Sequence, residues 1–145
     1  MRASAFPKMI DPFHWYGVVE TQGFFALAPV DSFTPEVDPE GELEIRYKPE
    51  ETPITLAAKR SYIGRVFLSW AQYPITETEV LVPPQEGYIV YFQDLRFNGM
   101  PGAATGRRDR GPLTQAVELD KNLRVVGDVV GSGDHQAVVP EPGHD

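Results

Sequence analysis

The side chains of this 145-residue chain that could bind a metal or move a proton are three histidines, His14, His135 and His144, and a surplus of carboxylates. A metal centre needs several such groups converging on one ion at about 2–2.5 Å. Asp11-Pro12-Phe13-His14 has a spacing that could bring two ligands together, so His14 is the candidate metal ligand. With Glu20 and Asp94 it forms the candidate catalytic set for metal-dependent hydrolysis. Each residue also has a structural reading. An imidazole within an aromatic strand is commonly half-buried and hydrogen-bonded. Asp94 and Arg96, two apart, share one face of a strand and suit an ion-pair network. Asp134-His135 and His144-Asp145 sit in a polar terminal stretch, which suits adventitious metal rather than catalysis.

Other constellations are incomplete. Glu36-Val37-Asp38-Pro39-Glu40-Gly41 imitates the opening of a calcium loop, but the twelfth position, where a bidentate glutamate belongs, is Tyr47. The segment therefore reads as a solvated acidic loop. Gly-x-Ser-x-Gly, Ser-x-x-Lys and His-Glu-x-x-His are all missing, which leaves no recognisable nucleophile elbow or zinc helix. Gly99 to Arg107 is glycine-rich yet lacks the Gly-Lys-[Ser/Thr] ending of a phosphate loop. Arg107, Arg108 and Arg110 form a local basic spot and are candidate contacts for an acidic partner or lipid headgroups. Trp15 and Trp70 could floor a ligand pocket, with core packing as the alternative.

The elements that would position these groups follow from composition and pattern. Thirteen Lys and Arg against 21 Asp and Glu give a net charge of −8, a field that repels nucleic acid. Cysteine is absent, which removes disulfides, thiolate metal sites and cysteine nucleophiles together. Fourteen Pro and 13 Gly favour short strands over long helices. No apolar run approaches the roughly 18 residues of a membrane span, and the N-terminus lacks the apolar region of a signal peptide.

Strands are expected over 10–20, 24–28, 42–48, 76–82, 87–96, 112–119 and 123–130. Thr21-Gln22-Gly23 joins the first two as a hairpin. In Glu42 to Lys48, Leu43, Ile45 and Tyr47 alternate with charges and are assigned to the core face. Thr52-Pro53 starts a helix. Tyr62, Ile63, Val66, Phe67 and Trp70 recur at helical spacing and are assigned to its buried stripe, opposite Ser61, Arg65, Ser69 and Gln72. Tyr73-Pro74 ends it. The expected fold is thus α+β, a mainly antiparallel sheet of about six to seven strands around one substantial helix. It forms a single domain with a core over about 10–130, a mobile loop over 98–112 and a flexible tail over 131–145.

Three stretches carry a family resemblance. Asp11-Pro12-Phe13-His14-Trp15-Tyr16-Gly17-Val18-Val19-Glu20-Thr21 resembles the Asn-Pro-Phe-x-Trp…Val-x-Glu-Thr opening of the soluble C-terminal region of bacterial predicted membrane-bound metal-dependent hydrolases, with Asp11 where the family has Asn. Phe67 to Pro74 resembles that region's aromatic helix end, and Val90 to Phe97 its strand ending in Asp-Leu-Arg-Phe. The resemblance implies an extramembrane accessory domain of a bacterial inner-membrane protein. Its partner would be the N-terminal membrane region of that parent, where the His and Asp ligands of any divalent metal would lie. No cofactor is expected in this chain, and it is expected not to be catalytic by itself.

Overall fold

The computed structural model describes residues 1–8, 11–34, 36, 38, 41–98, 113–130 and 136–141. It is α+β, as expected, with antiparallel strands predominating. Nine strands among the described residues divide between two sheets. The chain itself divides into two compact units, one holding Met1–Lys48 and the other Pro49–Gly99 with the described part of Ala104–Asp145.

The first unit is a four-stranded meander, β1 (Arg2–Lys8), β2 (Asp11–Glu20), β3 (Phe24–Asp31) and β4 (Glu44–Tyr47), in sequential order. Thr21 closes the β2–β3 hairpin: its N–H and its hydroxyl both donate to the Phe24 carbonyl at 2.9 Å. Tyr16, Val18, Phe25 and Leu27 are buried on one face. The register sets Phe25 opposite Arg46 and Leu27 opposite Glu44. The charges of β4 therefore lie on the buried face. Ile45 and Tyr47, together with Leu43 just before the strand, point outward, Tyr47 being 80% exposed. This reverses the sequence expectation. Alternation shows that a strand has two faces, but pairing register decides which is covered, and an offset of one residue exchanges them. Glu44 and Arg46 accept the placement by pairing with each other at 2.5 Å.

The second unit contains α1 (Pro53–Arg60), α2 (Tyr62–Trp70), β5 (Pro74–Leu81), β6 (Gly87–Asp94), the short α3 (Leu95–Asn98), β7 (Gln115–Leu119), β8 (Val125–Val130) and β9 (Ala137–Val139). Strands β5 to β9 form one antiparallel sheet in sequential order. Thr52 caps α1 in a reciprocal box: its hydroxyl accepts from the Thr55 N–H at 3.2 Å, and the Thr55 hydroxyl accepts from the Thr52 N–H at 2.9 Å. The helical stretch breaks at Ser61. That residue donates its hydroxyl to the Ala58 carbonyl at 2.7 Å and accepts from the Gly64 N–H at 3.1 Å, so it ends α1 and starts α2.

The break changes which side chains α2 buries. Phe67 and Ala58 enter a core with Val90, Phe92, Val117 and Leu119, while Ile63 and Leu68 lean on it. Tyr62, Val66 and Trp70, assigned to the buried stripe from their spacing, are exposed instead. All five residues of the expected stripe lie within α2, so the 3.6-residue period holds and the stripe is displaced round the helix to Ile63, Gly64, Phe67 and Leu68. Here the phase of α2 is set anew by the close approach of Gly64 to the end of α1, where a Cβ would collide with the Ala58 carbonyl oxygen. Two strands, β1 and β9, were not expected; β9 falls in the segment read as a tail and pairs with β8. Asn98, expected to open a loop, closes α3. The remainder of that loop, and residues 131–135 and 142–145 of the tail, lie outside the described residues. No helix among the described residues is long and apolar enough to cross a membrane.

Gly64→Ala is expected to lower unfolding free energy by about 1–3 kcal/mol, because the added methyl meets backbone that cannot step aside. Urea denaturation at neutral pH measures it.

Candidate functional site

Asp94 is the buried carboxylate of the second unit, 1% exposed. It ends β6, where the chain turns into α3. The Arg96 side chain reaches back over those two residues, with Nη2 2.8 Å from Oδ2 and Nε 3.1 Å from each carboxylate oxygen. The Arg96 N–H donates to Oδ1 at 3.0 Å and the Gln72 N–H to Oδ2 at 2.7 Å. Gln72 belongs to the connection between α2 and β5. Beside it the carbonyl of fully buried Tyr73 accepts from the Leu95 N–H at 3.1 Å. Burial alone would push the Asp94 carboxyl up. The hydrogen bonds from Arg96 and Gln72, with the guanidinium charge, outweigh it and hold the group below its ordinary value of 3.8.

Arg96 also lies 4.9 Å from the ring centroid of Phe97, and Phe97 lies 6.5 Å from Trp70. Trp70 packs edge-on against Phe67 at 4.8 Å. Trp70 is thus partly exposed rather than core. It stands in the middle of an aromatic row that runs from Phe67 through Phe97 to the Asp94–Arg96 pair.

The other candidates among the described residues belong to the first unit. His14 and Glu20 share a face of β2, but six residues of strand separate them by about 20 Å. His14 stands opposite Asp31, whose Oδ1 accepts from the Phe33 N–H at 2.8 Å. Glu20 pairs with Lys48 at 2.7 Å, and the same ammonium lies 4.8 Å from the Phe25 ring centroid. Trp15 sits on the opposite face of that strand, paired with Pro7 and Val30. Asp38, from the calcium-like segment, accepts from the Glu42 and Leu43 N–H groups at 2.5 and 2.8 Å, so it builds a turn. Arg107, Arg108, Arg110, His135 and His144 lie outside the described residues. Among the described residues no three His, Cys, Asp or Glu side chains are grouped so that they could hold a metal ion.

A second carboxylate cluster was not anticipated. Asp128 on β8 has a buried Oδ1 without a hydrogen-bond partner, and burial together with the nearby Glu141 carboxylate pushes its pKa up. Glu141 accepts from the Tyr62 N–H at the start of α2 at 2.5 Å. The visible signal was a lone acid within Val125-Val126-Gly127-Asp128-Val129-Val130. Compared with known protein families, with curated proteins and with solved structures, the chain finds no match.

Asp94→Asn should cost about 3 kcal/mol of stability at pH 7, since it strands a largely buried guanidinium. The sign with pH follows from the depressed carboxyl. Its stabilisation is complete above the ordinary value of 3.8 and is lost as pH falls through the lower folded value, so thermal melts of the variant should lack that part of the acid limb. Asp128→Asn should act the other way. A raised carboxyl favours the folded chain below 3.8 and opposes it once ionised, so the variant's melting point should rise at pH 7 and converge with the parent's in acid.

Proposed function

We propose that this chain is a non-catalytic, extramembrane accessory domain of a membrane-bound, hydrolase-like protein. The observation that carries the non-catalytic part is the commitment of Asp94. An ionised carboxylate offers about four lone-pair sites, and Asp94 already accepts from a guanidinium and two backbone N–H groups. It holds no proton to give at neutral pH and has no lone pair left for a substrate or an ion. Glu20 is likewise engaged with Lys48.

The accessory part rests on the ordered resemblance of Asp11–Thr21, Phe67–Pro74 and Val90–Phe97 to the soluble region of the bacterial hydrolase family. In this reading the partner is the parent's own N-terminal membrane region at the inner membrane, and any divalent metal belongs there. Arg107, Arg108 and Arg110 are its candidate contacts to acidic groups.

Calorimetric titration with zinc, manganese and magnesium, followed by assays on phosphoester and ester substrates, should show neither His14-dependent binding nor turnover. Micromolar metal binding lost in His14→Ala, or turnover lost in Glu20→Gln, would place a site in this chain and end the non-catalytic reading. A topology reporter fused to the full-length parent tests the other half: a parent without a membrane-spanning region removes the accessory role.

A further inference from the structure

Residues 136–141 are attached to the rest of the second unit at two places, with little apolar burial behind either. Strand β9 pairs with β8 over three rows, Ala137 with Val130, Val138 with Val129 and Val139 with Asp128. All three β9 residues are exposed, Val138 at 40% and Val139 at 47%. The backbones come close, since a Cβ on Gly127 would collide with the Val139 carbonyl oxygen. Two residues further on, the Glu141 carboxylate accepts from the Tyr62 N–H at the start of α2 at 2.5 Å. Asp128 sits where the two attachments meet, opposite Val139, with a buried Oδ1 that no donor satisfies. A buried oxygen without a donor is unfavourable, and a second carboxylate beside it makes the ionised form worse.

We propose that residues 136–141 form a pH-controlled strap, docked on β8 and α2 while Asp128 carries a proton and loosened when Asp128 gives it up. A protonated Asp128 has an O–H to donate, and Glu141 is the neighbouring acceptor. Ionised, it has only lone pairs to offer, and it meets the Glu141 carboxylate in a half-buried setting where salt screens little. Burial and Glu141 both push the Asp128 carboxyl up from 3.8, so docking favours the protonated form. That contribution is complete below 3.8 and is lost as pH rises through the docked-state value. The surrounding charges do not relieve the pair. β8 and β9 bear no other ionisable side chain. On β7, Glu118 stands opposite Gly127, one position along from the Val117–Asp128 row, and so points to the other face. The helices over the Asp128 face carry Lys59, Arg60 and Arg65. Lys59 is engaged with Glu51 at 2.6 Å, and among the described residues neither arginine pairs with Asp128 or Glu141. Three rows on a sheet edge form a unit small enough to open alone, which uncovers the outer edge of β8 and the N-terminus of α2.

Amide hydrogen exchange followed by NMR on the full chain, from about pH 4 to about pH 8 and corrected for the intrinsic rate, tests this. Its result is independent of the accessory reading, which the metal and topology experiments decide. Protection at Tyr62 and across β9 should fall several-fold as pH rises, while Val90 and Val117 in the sheet core stay protected. Asp128→Asn supplies a side-chain N–H to Glu141 at every pH, and Glu141→Gln removes the second charge, so in each variant the protection should not change with pH. Imidazoles change charge over the same range, so a chain with both His135→Gln and His144→Gln, two positions outside the described residues, is the control and should keep the fall. Constant protection in the parent, a fall that survives in either carboxylate variant or vanishes in the histidine control, or a parallel loss at Val90 and Val117 would each overturn the inference.

Discussion

Taking an ionised carboxylate out of water costs several kcal/mol unless other donors replace its hydration, and the second unit is arranged to meet that demand at Asp94. Donors arrive from two separate stretches: the Gln72 amide after α2, and the backbone and guanidinium of Arg96 after β6. Satisfying one side chain thereby fixes where α2 must end, where β5 must begin opposite β6, and how the chain turns into α3. The neighbouring Tyr73–Leu95 backbone bond follows from the same approach. Trp70 and Phe97, each next to one of these stretches, are brought within ring contact as a by-product. Helix, sheet edge and turn thus depend on a single ion pair.

The same economy runs through the first unit. Glu44 with Arg46 and Glu20 with Lys48 occupy the half-buried positions around its core, while Ile45 and Tyr47 stand outside. Polar groups are spent on internal pairing, and apolar groups supply much of the surface. A catalytic site makes the opposite arrangement, leaving a titratable group short of partners in a hollow. Among the described residues Asp128 alone carries a buried side-chain oxygen without a hydrogen-bond partner, and what raises its pKa is burial and the Glu141 carboxylate.

How much of this was legible depended on whether the signal was local. The Thr52 cap, the Thr21 hairpin and the Asp94–Arg96 pair each involve residues within three positions, and all were readable as residue types at a spacing. The faces of β4 and α2 were not. Both were assigned from periodicity, which shows that an element is two-sided without stating which side a neighbour covers. The deciding facts, a register with β3 and a glycine touching the preceding helix, lie outside the element itself. The donation from Gln72 to Asp94 spans 22 residues and no pattern announced it. Asp128 and Glu141 are likewise joined only by the pairing of β8 with β9.

Ser61 closes one helix and opens the next with the same hydroxyl. An inserted or deleted residue there would rotate α2 by about 100° relative to α1 and uncap both at once. Downstream, the distance to Gln72 is pinned by Asp94. A change in chain length is therefore accommodated with least disturbance ahead of Glu51, whose carboxylate pairs with Lys59 of α1, because the Thr52 cap and the Ser61 turn both lie beyond it.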